Sequence, residues 1–150
     1  MTTPMAPSGR YLHILLVEDN PGDIRLTREA FAQTQTPIQL HVAADGVEAI
    51  DFLRGAERFH DAPRPDLILL DLNLPRKNGR EVLAEIKQDQ SLRRIPVVVL
   101  TTSTAEDDIL GTYDLHANSY ITKPVDLGQF DEIVRTIDRF WLSIVSLPSG

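Results

Sequence analysis

Short apolar runs alternate along this chain with stretches whose apolar residues recur every three or four positions, the signatures of strand and helix. The first run, YLHILLV at 11–17, stops at Glu18-Asp19 and predicts a strand. NPGDIRLTREAFAQT follows, with Ile24, Leu26, Ala30 and Phe31 as a helical stripe. Asn20 before Pro21 suits its start, because the first turn leaves N–H groups unpaired and proline has none to leave. IQLHVA (38–43) interleaves polar residues and predicts a strand less buried than its neighbours. Asp45, with Glu48 three residues on, has capping-box spacing and opens a helix that carries Val47, Ile50, Phe52 and Leu53 toward a core.

RGAERFHDAPRP is a polar connection with room for an extra turn of helix. DLILLDL (66–72) is the most apolar run and reads as a central parallel strand, covered on both faces. A helix from about Arg80 to Gln88 presents Val82, Leu83 and Ile86, and IPVVVLT (95–101) is a second central strand. AEDDILGTYDL predicts a helix weakened by Gly111, NSYIT (118–122) a short strand, and DLGQFDEIVRTIDRFWLSIV a long last helix. Phe130, Ile133, Val134, Ile137 and Trp141 form the stripe of that last helix. Five strands alternating with five helices predict an α/β fold, a doubly wound five-stranded parallel sheet with helices on both faces. Residues 1–10, proline-bearing and without periodicity, are expected as a flexible arm. Residues 11–147 then form one domain with a C-terminal helical extension.

Composition narrows the function. The 150 residues, 42% hydrophobic, suffice for one domain with a real core. Cysteine is absent, which excludes disulfides and thiolate metal sites and makes a reducing cytoplasm the expected location. The N-terminus lacks the pattern of a signal peptide, and no apolar run approaches the roughly 18 residues that span a bilayer. With a net charge of -7 and no basic cluster, neither nucleic acid nor membrane is an expected partner.

Parallel strands deliver their carboxyl ends to one edge, where open α/β sheets keep their chemistry. Read in order, those ends supply Glu18 and Asp19, Asp71, Thr101 with Thr102, and Lys123. Three carboxylates brought together repel, and a hard divalent cation resolves the repulsion. Mg²⁺ suits such a set, with Glu18, Asp19 and Asp71 as carboxylate ligands and the backbone carbonyl of Asn73 as another. A surface acidic patch without a specific ion is the alternative reading. A carboxylate such as Asp71 can act as a nucleophile toward phosphorus and form an acyl phosphate. Lys123 would then pair with one phosphoryl oxygen and the Thr101 hydroxyl would donate to another.

These residues resemble the receiver domain of two-component response regulators over about residues 11–141. The motifs are LLVEDN with its acidic pair Glu18-Asp19, LLDLNLP with Asp71 and Asn73, VVLTTS with Thr101, and YITKP with Tyr120 and Lys123. The resemblance implies a flavodoxin-like sheet of order 2-1-3-4-5, Asp71 as phosphoacceptor, Thr101 as switch threonine and Tyr120 as its aromatic partner. VEDNPGDIRLTREA, FLRGAERFHDAPRPD, LPRKNGREVLAEIK and FWLSIVSLP are similar to one subgroup, the small receivers paired with bacterial and cyanobacterial phytochrome kinases. A phytochrome-type sensor histidine kinase is the partner so implied, with a downstream phosphorelay protein as a further candidate. With no output domain expected after the fifth helix, the signal passes by protein contact. Phe140, Trp141 and Ile144 in the extension add apolar surface, and a homodimer through the last strand and helix is expected.

Two other classes fit less well. Phosphohydrolases with an aspartate nucleophile usually carry a second aspartate two residues on as general acid-base, and here that residue is Asn73, whose amide cannot shuttle a proton. A nucleotide-binding module needs a glycine-rich phosphate loop, which EDNPGD does not supply. A scaffold without phosphotransfer is the remaining alternative, separated from a receiver by whether Asp71 accepts phosphate. The protein is not expected to be an enzyme.

Overall fold

A computed structural model describes residues 11–33, 37–72, 74, 77–101 and 119–122; at Glu57, Thr101 and 119–122 the description is of the backbone. The elements are β1 (Leu12–Val17), α1 (Pro21–Ala32), β2 (Ile38–Ala43), α2 (Gly46–Arg54), a 3-10 turn (Glu57–Phe59), β3 (Leu67–Asp71), α3 (Gly79–Gln88), β4 (Val97–Thr101) and β5 (Ser119–Thr122). All neighbouring strands are parallel, in the order β2-β1-β3-β4-β5. The expected arm at 1–10 and the helices expected around 105–115 and 126–145 lie outside the described residues.

The pleat sorts the sheet into two cores. Leu15, Val17, Ile68, Leu70, Val97 and Val99 face one way and pack with Ile50, Phe52, Val82, Leu83 and Ile86 of α2 and α3. Leu12, Ile14, Leu16, Leu67, Leu69, Val98 and Leu100 face the other way and pack with Phe31 of α1. Because β1, β3 and β4 are covered on both faces, their runs are apolar, apart from His13 in β1 and the closing Asp71 and Thr101, rather than alternating. Each fully buried leucine or isoleucine contributes about 1.5–3 kcal/mol relative to exposure. β2 is an edge strand, and only Ala43 in it is fully buried.

Local chemistry sets the helix ends. Asn20 caps α1, its side chain accepting from Asp23 N at 3.1 Å, with Pro21 in the first turn. α2 ends on Gly55, whose φ of 65° is open to glycine at little cost. The 54–65 connection contains its expected extra turn, and Arg58 holds it down by reaching Glu48 at 2.9 Å and lying over the Phe59 ring.

Three details depart from the sequence reading. Leu26 is 51% exposed, and the inward position is Thr27, in line with Ile24 and Phe31; its hydroxyl donates to Asp23 O at 2.9 Å, which lets a polar residue be buried there. Asp45 does cap α2, accepting from Glu48 N at 2.8 Å. The reciprocal capping box belongs instead to α3, where Asn78 and Glu81 exchange bonds. α3 consequently starts at Gly79, one residue before the expected Arg80.

On the sheet face that α2 covers, His13 Nδ1 and His41 Nε2 are 3.0 Å apart, and the centroids of their rings 5.2 Å apart. Those two separations together describe rings meeting end to end. His41 in turn contacts Phe52, and Phe52 contacts Phe59, so an aromatic line runs from β1 to the 3-10 turn. Burial first, and then the neighbouring His13, hold the His41 imidazole below the usual histidine range.

Candidate functional site

The sheet register builds the site. β1 and β3 run in step to Val17 and Leu70, so the next residues, Glu18 and Asp71, emerge side by side at the carboxyl edge. Glu18 extends the β1–β2 ladder by one bond, its N donating to Ala43 O at 3.0 Å. One of its carboxylate oxygens accepts from Asn20 N at 3.2 Å, which ties it to the capped start of α1. Asp71 is the last residue of β3, and Leu72 N beyond it donates to Leu100 O at 3.0 Å.

Glu18, Asp19 and Asp71 come together, each offering a carboxylate oxygen, and these oxygens lie within 4.8 Å of one another. Glu18 and Asp71 are buried and Asp19 is exposed. Like charges at this spacing cost on the order of a few kcal/mol per pair. The donor set consists of hard oxygens with no histidine, which fits a divalent cation that prefers oxygen and keeps water on its open side. Two buried carboxylates and one exposed one leave such a side toward solvent, where a second anionic group can approach.

The backbone of Thr101 ends β4, paired with Thr122 of β5, and Asp71 pairs with Leu100 one step earlier. Tyr120 pairs with Val99, two residues before Thr101. Register therefore places Thr101 on the strand beside Asp71 and Tyr120 on the next strand out. Asn73, Thr102, Lys123, Phe140, Trp141 and Ile144 lie outside the described residues.

One contributor escaped the sequence reading. Gly79, the first residue of α3, donates its N–H to Leu72 O at 3.1 Å and so closes the loop that follows Asp71. A Cβ at position 79 would come 2.6 Å from Leu72 Cα and closer still to the carbonyl oxygen of Asp71. The available signal was Asn78-Gly79 with Glu81 three residues beyond the asparagine, a helix start. Nothing in that pattern says what the glycine must make room for.

The sequence matches the family described as "Response regulator receiver domain" over residues 14–135. Response regulator Rcp1 of Synechocystis sp. is 51% identical over 137 residues, covering 91% of this chain and 93% of that protein. The crystal structure of the phosphorylated cyanobacterial phytochrome response regulator RcpA is similar at 57% identity with a TM-score of 0.79, over 93% of this chain and 99% of that one. The Mn(2+)-bound form of Rcp1 is 50% identical with a TM-score of 0.77, over 91% of this chain and 99% of that one.

Proposed function

Because this chain belongs to the response regulator receiver domain family, we propose that Asp71 takes a phosphoryl group from a phytochrome-type histidine kinase, with Mg²⁺ at its side. The observation that carries this reading is the convergence of Glu18, Asp19 and Asp71 at the end of two central strands. A carboxylate oxygen of Asp71 attacks phosphorus, the new O–P bond replaces the N–P bond of a phosphohistidine, and the kinase imidazole leaves. When bound, Mg²⁺ screens the charge of the incoming phosphoryl group. Glu18, Asp19, Asp71 and the Asn73 carbonyl would hold the cation, Lys123 would pair with a phosphoryl oxygen, and Thr101 and Thr102 would donate to the others.

The phytochrome partner is inferred from the likeness to the phytochrome response regulator RcpA, and Mg²⁺ from the hardness of the donor set. Thr101, drawn toward the phosphoryl group, leaves space for Tyr120 to turn inward, a population shift felt on the neighbouring surface. That surface includes the extension with Phe140, Trp141 and Ile144, through which two copies dimerise and the signal passes by contact. In this reading residues 11–147 act as one unit and residues 1–10 as an arm. The protein is a phosphorelay module, and it turns over no substrate of its own.

The test is transfer of labelled phosphate from a phosphorylated kinase or from acetyl phosphate. Wild type takes up label only with divalent metal present, and Asp71→Asn takes up none. Equal label on both, or full labelling in excess EDTA, overturns the assignment.

A further inference from the structure

We propose that Gly79 is a positioning residue for the phosphoacceptor: its missing side chain sets where Asp71 stands relative to Glu18 and Asp19. This rests on the reading of those three carboxylates as a metal and phosphoryl site. Among the described glycines only Gly55 has a positive φ, so Gly79 is required for space and not for backbone conformation. An alanine would ordinarily favour a helix. Here its methyl would overlap the Asp71 carbonyl oxygen and Leu72 Cα, both main-chain atoms that no rotamer change can clear.

Something must then move, and the two sides of the contact are unequally anchored. α3 is held by its reciprocal cap at Asn78 and Glu81 and by Val82, Leu83 and Ile86, all fully buried under the sheet. Asp71 is the terminal residue of β3, one step past the last β1–β3 pair at Leu70, so the sheet ladder holds it and Leu72 from the β4 side alone, at Leu100. The strand end therefore yields before the helix does. The displacement falls on the residue whose carboxylate must stay within reach of Glu18 and Asp19.

The experiment compares Mn²⁺ binding by titration calorimetry, and thermal unfolding without metal, for wild type, Gly79→Ala, Ile86→Ala and Asp71→Asn. Ile86→Ala opens a cavity in the same helix two turns from the site, so it lowers the unfolding midpoint and leaves Mn²⁺ affinity within about twofold. Gly79→Ala weakens Mn²⁺ binding by about tenfold or more, as when groups holding a metal ligand in place are disturbed. Affinity of Gly79→Ala equal to wild type, or an equal loss in Ile86→Ala, overturns the positioning role. If Asp71→Asn also binds Mn²⁺ like wild type, the metal-site reading fails instead. Should Gly79→Ala be unfolded in buffer, the titration is repeated in trimethylamine oxide, which favours the compact state. A chain still unfolded there also overturns the proposal, since the fold and not Asp71 would have given way.

Discussion

His13 and His41 illustrate how much one proton can decide. A nitrogen-to-nitrogen distance of 3.0 Å between rings meeting end to end needs one N–H and one lone pair. With both rings protonated, two N–H groups would face each other between β1 and β2. The His41 pKa is lowered on folding from its ordinary 6.5, so the unfolded chain binds protons that the folded chain refuses. The stabilising contribution is thus complete above about pH 6.5 and is lost as pH falls from there through the lowered folded value. Urea unfolding at pH 7.5 and 5.5 should show a loss of stability in acid. His41→Phe, which keeps a ring against Phe52, should show a smaller loss, and an unchanged loss would remove the pair as its source.

Elements are where the sequence was most and least readable. Strand and helix periods named every described element, because burial on both faces of β1, β3 and β4 leaves apolar runs broken only by His13. They misplaced Leu26 because hydrophobicity alone ranks it above Thr27, whereas the hydrogen bond to Asp23 O lets threonine take the inward position. They also started α3 one residue late, missing the cap at Asn78. Asn78→Ala should lower stability by about 1 kcal/mol, the usual worth of such a cap, seen as a reduced urea midpoint with an unchanged slope. The acidic cluster was legible because each carboxylate ends an apolar run. The Gly79 contact and the His13–His41 pair were not, since each depends on which distant backbone segment the fold brings alongside.

At the scale of the molecule, the proposed dimer rests on the composition of the last segment. The segment FWLSIVSLP adds more apolar side chains than one face of a small domain needs, and a C₂ partner is the commonest way to cover them. Light scattering across tens of micromolar should give twice the chain mass for the unphosphorylated protein and a lower average mass for Trp141→Ala. A monomer mass throughout, with and without beryllofluoride, rules the dimer out. No described helix is long and apolar enough to cross a membrane.

The two-sided burial of β1 and β3 also governs when the acidic centre can come apart. Strands enclosed by two cores exchange their amide hydrogens only through the largest, rarest openings of a protein. Glu18 and Asp71 follow directly on the last β1–β3 pair, Val17 with Leu70, so large departures from their spacing come with opening of the enclosed sheet. A cation bound there is consequently a ligand of the native state as a whole: its free energy adds to global stability by mass action, and withdrawing it loosens the entire domain together.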